Sequence, residues 1–180
     1  FKTIEQLFDR KEMITGLATG FIDLDKLTSG FQASDLIIIA ARPSMGKTAF
    51  CLNIAQHAAI EDHVPVALFS LDMSKESLVQ RMLTSEARVD SQRLRRGLLR
   101  DDEFPMLARA AGILSSAPIW IDDTPGITLL EMRSKARRLR MENEVGVIVV
   151  DYLQLMRSPG YAENRVQEIS DISRSLKALA

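Results

Sequence analysis

Four short runs rich in Ile and Val punctuate the chain: 36–41 "LIIIAA", 65–70 "PVALFS", 118–122 "PIWID" and 146–151 "GVIVVD". Each is almost unbroken in apolar character, the pattern of a strand covered on both faces in a parallel sheet. Between them the period becomes helical. One helix is predicted over 47–60, directly after "SMG", and a second over about 74–87 with Ser74 as its N-cap. A third is expected over about 102–116, with Pro105 in its first turn, where a missing N–H does little harm. The fourth, 128–143, opens on Thr128 and Glu131 at capping-box spacing. Its Leu129, Met132, Ala136 and Leu139 form one apolar stripe, while Arg133, Arg137 and Arg140 lie on another face. A fifth runs from about Ala162 to the end of the chain. Strands alternating with helices predict an open α/β fold, a mostly parallel sheet with helices on both faces.

Both ends read differently. Residues 1–10 give a short amphipathic helix with Ile4, Leu7 and Phe8 on one side. So short a helix is marginal unless it docks on something. At the other end, "ISRSLKALA" stops inside a helical pattern, so the chain is expected to be a piece of a longer protein.

Composition narrows the class. The 180 residues suffice for one domain with a sizeable core but hardly for two. Twenty-three Lys and Arg against 24 Asp and Glu leave a net charge of −1, so any polyanion site must be local. One cysteine, Cys51, cannot form an internal disulfide, and with His57 and His63 it shows no metal-ligand spacing. The apolar runs are too short to cross a bilayer, and the N-terminus lacks a signal-peptide core. A soluble cytoplasmic domain with no membrane partner is the expectation.

The strongest chemical signal is "ARPSMGKT" at 41–48, directly after one predicted strand and directly before a predicted helix. This is the P-loop pattern, with Ala41 in place of the usual first glycine. Ala41 sits at the strand end, where a methyl is tolerable if φ stays negative. Backbone N–H groups of such a loop can wrap phosphates, and the helix N-terminus adds partial positive charge. Gly46 leaves room for close approach, Lys47 can neutralise the β- and γ-phosphates, and the Thr48 hydroxyl can ligate Mg²⁺. Ala41, Arg42, Pro43, Ser44, Met45, Gly46, Lys47, Thr48 and Ala49 are therefore the candidate ATP-binding residues, with Lys47 also a catalytic cation.

A nucleotide site also needs an acid on the metal side. The strand at 146–151 ends in Asp151 and delivers its carboxylate to the sheet's C-terminal edge, where ligands of open α/β sheets collect. Asp151 and Thr48 are the candidate Mg²⁺ residues. Asp122 and Asp123 in "IDDTP" end another strand, but Asp-Thr-Pro also forms turns, and the turn reading is preferred. Asp72, in "FSLDMS" at 69–74, follows a strand that would neighbour the P-loop strand if sequential strands lie side by side. There it either orients and polarises the water that attacks the γ-phosphorus or merely starts a helix.

Six segments in order, "TGFIDLDKLTSGF" (19–31), "ARPSMGKTAF" (41–50), "FSLDMS" (69–74), "IDDTP" (121–125), "VVDYLQLM" (149–156) and "ENRVQEISDISRSLKALA" (163–180), resemble the C-terminal motor domain of DnaB-type replicative DNA helicases. The resemblance implies a RecA-like ATPase core over 15–180, incomplete at its C-terminus, and a linker helix over 1–14 that docks on a neighbouring subunit. It implies a hexameric ring that hydrolyses ATP at subunit interfaces and draws single-stranded DNA through its centre, with primase and a helicase loader as further partners. It makes Asp151 the magnesium aspartate and Asp72 the carboxylate that activates water. The family normally has glutamate at that position, one methylene longer. In RecA-like sheets a further strand, beyond residue 180 here, lies between the P-loop strand and the Asp151 strand. Without it the sheet is expected to be split.

Two rivals share these features: a RecA-like recombinase or clock-type ATPase, and a non-hydrolysing ATP-binding switch or interaction module. The first would not be expected to carry "DYLQL" and "SRSLKALA" together. Arg93, Arg95, Arg96 and Arg100, and Arg133 to Arg140, read as solvated helix faces or subunit contacts rather than DNA contacts. Neither cluster interleaves aromatic residues.

Overall fold

The computed structural model describes residues 14–156 and 165–180. The helix expected over 1–10, with its docking face of Ile4, Leu7 and Phe8, lies outside the described residues. The elements in chain order are α1 (Ile22–Thr28), α2 (Lys47–Ile60), β1 (Val66–Ser70), α3 (Lys75–Ala87), α4 (Ser91–Arg96), α5 (Glu103–Ser116), β2 (Ile119–Asp122), α6 (Leu129–Asn143), β3 (Val147–Asp151), a 3₁₀ turn (Leu153–Leu155) and α7 (Arg165–Leu179).

The three strands form one parallel sheet in the order β2-β1-β3. β1 is central and buried along its whole length. Its side chains alternate between two cores, as the strand period of two requires. Ala67 and Phe69 pack with Met132 and Ala136 of α6 and with Ile172 and Leu176 of α7. Val66 meets Ala55, Ala58 and Ala59 of α2, and Leu68 meets Leu52 of α2 with Leu78 and Met82 of α3. Phe69 is 1% exposed, and burying a side chain of that size contributes about 1.5–3 kcal/mol. Helices therefore cover both faces, as the apolar runs predict.

The helix boundaries follow local chemistry. Ser74 caps α3 by accepting from the Ser77 N–H, and Thr128 and Glu131 form the reciprocal capping box of α6. The Thr128 backbone N–H and hydroxyl hold the Glu131 carboxyl below its usual range. The apolar stripe of α6 faces the core through Leu129, Met132 and Ala136. Helix α4 is not among the predicted helices, although "DSQRLRRG" carries both its signals. Asp90 accepts from the N–H groups of Gln92 and Arg93, and Gly97 ends the helix at φ 67°. Arg93 on this helix pairs with Glu103 at 2.7 Å and donates to the Leu98 carbonyl, which gives it an internal structural role.

Two expectations need correction. Residues 36–41 make no ladder with any described strand, so the predicted first strand is absent as a sheet member. A cleft of about 2280 Å³ separates this segment from β3 and is lined by both. Ile37 and Ile38 stand 41% and 64% exposed as a result. The sheet is split as the missing neighbour predicts. The strand before Asp72 also does not lie beside the P-loop segment; β1 sits between β2 and β3, next to the strand that ends in Asp151.

Candidate functional site

The loop 41–46 runs exposed from the end of the unpaired segment to the start of α2. Ala41 is not among the residues with positive φ, so its methyl is accommodated in place of glycine. Ser44 and Gly46 adopt left-handed conformations, φ 64° and 87°. Such a φ is uncommon for serine and marks a tight loop. At Gly46 a Cβ would meet no atom within 4 Å, so backbone conformation rather than packing selects glycine. The space beside the loop is open to a ligand. Arg42, Pro43 and Met45 complete the turn, and Ala49 lies in the first turn of α2.

Helix α2 starts with the two residues that carry the chemistry. Lys47 Nζ lies 2.8 Å from Asp151 Oδ1, and the Thr48 hydroxyl donates to Asp151 Oδ2 at 2.6 Å. Asp151 is only 6% exposed, and the end of β3 holds it there. A buried carboxylate is tolerated because each oxygen has a donor. The Lys47 ammonium also stands 4.3 Å from the centre of the Tyr152 ring, a cation–π contact. Tyr152 is absent from the sequence-based candidates, although its place directly after Asp151 puts it at the same sheet edge.

Asp72 lies one residue beyond the bond from the Leu71 N–H to the Asp151 carbonyl, 2.7 Å long. That bond and the pairing of Ser70 with Asp151 place the Asp72 turn and Asp151 on one edge. Asp72 is exposed and lines the same cleft as Lys47, Thr48 and Asp151. Arg81 of α3 also lines it, a residue that sequence reasoning passed over. Among the described residues no group of three or more His, Cys, Asp or Glu side chains could hold a metal ion. A Mg²⁺ here would take the Thr48 hydroxyl and an Asp151 oxygen, with phosphate and water filling its remaining positions.

Cys51 follows one turn after Lys47. Burial pushes its thiol up, the Asp151 carboxylate adds to this, and Lys47 opposes it. It is a neutral thiol at neutral pH, and its chemistry is inert.

The two carboxylates of "IDDTP" have separate structural partners. Asp122 pairs with Lys135 Nζ at 2.5 Å and accepts from the Thr124 N–H. Asp123 accepts the Lys75 N–H at the start of α3, 2.9 Å away. Burial alone would raise the Asp122 carboxyl, but the bonds from Lys135 and Thr124 outweigh it and hold the group below the usual carboxylate range. A depressed folded-state pKa stabilises the protein above the unfolded value and loses that contribution as pH falls through the folded value. Thermal stability should therefore decline below about pH 4, and the Asp122→Ala variant should show a shallower decline. Melting curves over the acid range up to neutrality for both proteins check this; equal slopes would remove Asp122 from the account.

A parallel sheet flanked by helices, a phosphate loop opening a helix and a strand-end aspartate bonded to its Lys and Thr define a RecA-like P-loop ATPase domain. The family model for the DnaB-like helicase C terminal domain matches residues 16–180. This chain belongs to that family. It is 55% identical over 181 residues to a protein of Geobacillus stearothermophilus named "Replicative DNA helicase DnaB", covering 100% of this chain and 40% of that protein. The chain thus spans about 40% of the length of such curated relatives. Among solved structures, a helicase-type ATPase domain superposes with a TM-score of 0.92 at 32% identity, over 99% of this chain and 64% of that one. "The Structure Of A DnaB-Like Replicative Helicase And Its Interactions With Primase" gives 0.91 at 32% identity, over 99% and 43%. Among the described residues no helix is long and apolar enough to cross a membrane.

Proposed function

We propose that this chain carries the ATP-binding part of a replicative DNA helicase motor, which couples ATP hydrolysis to movement along single-stranded DNA and duplex unwinding. One observation carries the reading: Lys47 and Thr48 converge on the two oxygens of Asp151, with Asp72 on the same sheet edge. That is the set of groups a nucleotide triphosphate with Mg²⁺ requires. The names of the relatives, replicative helicases, favour a motor over a non-hydrolysing switch.

In this reading the backbone of 41–49 holds the phosphates and the start of α2 adds its partial positive charge. Lys47 leaves Asp151 to neutralise the β- and γ-phosphates. Thr48 and Asp151 hold Mg²⁺, which when bound draws charge from the phosphate oxygens. Asp72 orients the attacking water and accepts its proton. The working assembly is a hexameric ring around single-stranded DNA, with the linker helix of 1–14 docked on the next subunit. Primase and a helicase loader are its partners, the first supported by the primase interactions of a structural relative.

ATP hydrolysis by the whole helicase polypeptide, with and without single-stranded DNA, tests the motor reading; absence of both turnover and unwinding would reject it. Asp151→Asn should weaken Mg²⁺-dependent turnover by about 10²-fold, because the metal-side charge is gone. Titration of turnover with Mg²⁺ reads this directly. An unchanged Mg²⁺ dependence would reduce Asp151 to a structural partner of Lys47.

A further inference from the structure

The turn that carries Asp72 is held at both ends by groups that are not its own. At its start the Leu71 N–H donates to the Asp151 carbonyl at 2.7 Å. Ser70 Oγ donates to the Met73 carbonyl at 2.7 Å and accepts the Met73 N–H at 3.2 Å. At its far end the first N–H of α3, that of Lys75, donates to Asp123 Oδ2 at 2.9 Å. Between these anchors Asp72 itself is exposed. The Ser74 cap is the weaker local restraint, with 3.4 Å from the Ser77 N–H to Ser74 Oγ.

Asp123 comes from another strand end, 48 residues away in sequence. Its neighbour Asp122 is fixed by Lys135 and Thr124, so the backbone that presents Asp123 is itself restrained. The contact thus ties the start of α3 to the end of β2, across the outer side of the Asp72 turn. We infer that Asp123 is a positioning residue for hydrolysis, setting the placement of Asp72 through the Lys75 N–H. The inference rests on the reading of Asp72 as the water-activating carboxylate. An aspartate one methylene shorter than the family's glutamate tolerates less drift of its backbone, and misplacement near 1 Å can cost about 10²-fold in rate.

The test uses the whole helicase polypeptide and steady-state ATP hydrolysis with amide hydrogen exchange at Lys75. Asp123→Ala should lower kcat about tenfold, leave KM for ATP unchanged and expose the Lys75 amide to exchange. Asp123→Asn keeps an acceptor oxygen and should restore both kcat and protection. Lys135→Met, which frees Asp122 without touching the Lys75 contact, should lower the melting temperature with kcat intact. Parent-like kcat in Asp123→Ala, beside an inactive Asp72→Asn, would overturn the positioning role alone. So would an equal loss in Asp123→Ala, Asp123→Asn and Lys135→Met, which marks general damage to the β2–α6 turn. Full hydrolysis by Asp72→Asn would overturn the catalytic reading of Asp72 and this inference with it.

Discussion

Lys47→Ala removes ATP turnover, lowering it by at least about 10²–10³-fold. Lys47 is the P-loop's own lysine, at the first position of α2, and no other side chain of the loop's helix start carries positive charge. Without it the β- and γ-phosphates keep only backbone N–H donors and Mg²⁺. The substitution acts on the nucleotide-free protein too. Asp151, 6% exposed, loses the donor on Oδ1 and keeps only Thr48 on Oδ2. An orphaned buried acceptor costs about 1–3 kcal/mol, so the variant should also melt earlier. Nucleotide affinity, turnover and melting temperature are the measurements. Unchanged affinity and turnover would refute the phosphate-loop assignment even if stability fell.

Asp72→Asn abolishes hydrolysis while leaving ATP binding largely intact, because an amide can position water but is a poor base. The expected loss is about 10²–10⁴-fold, the usual contribution of a general base. Stability offers no competing explanation. Asp72 is exposed, and among the described residues it makes no hydrogen bond or ion pair. Asp72→Glu should raise turnover, since the longer acid restores the reach normal for the family. Single-turnover hydrolysis and nucleotide affinity for both variants decide the matter. An asparagine variant that hydrolyses at the parent rate would make Asp72 a residue that merely starts α3, and the ATP-binding switch would become the better reading.

Much of this was legible in the chain. The runs at 65–70, 118–122 and 146–151 became the three strands because continuous apolar character has one stable use, burial on both faces. "ARPSMGKT" marked the loop, and the strand-end position of Asp151 marked its partner, since a strand fixes where its last side chain emerges. The run 36–41 has the same composition and forms no ladder, because pairing needs a neighbouring backbone that composition cannot report. Strand order was equally hidden: adjacency in sequence suggested β1 beside the P-loop, whereas the sheet places it beside β3. Tyr152 over Lys47 and Asp123 on the Lys75 N–H are contacts between segments far apart or around a corner. No local pattern encodes them. Helix α4 is the one miss whose signals, Asp90 and Gly97, were in plain view.

The unpaired segment 36–41 has a colloidal consequence. Its backbone N–H and C=O groups and those of the outer edge of β3 form two uncapped rows facing one cleft. "LIIIAA" is six residues without charge, proline or glycine, and Ile37 and Ile38 are exposed. Edge strands in stable proteins are blunted by lysine, proline or a bulge, and this one has none of those devices within it. Its composition is that of a segment that stacks in register with copies of itself. The solubility of this chain on its own therefore depends on keeping those two rows occupied, and concentration works against it.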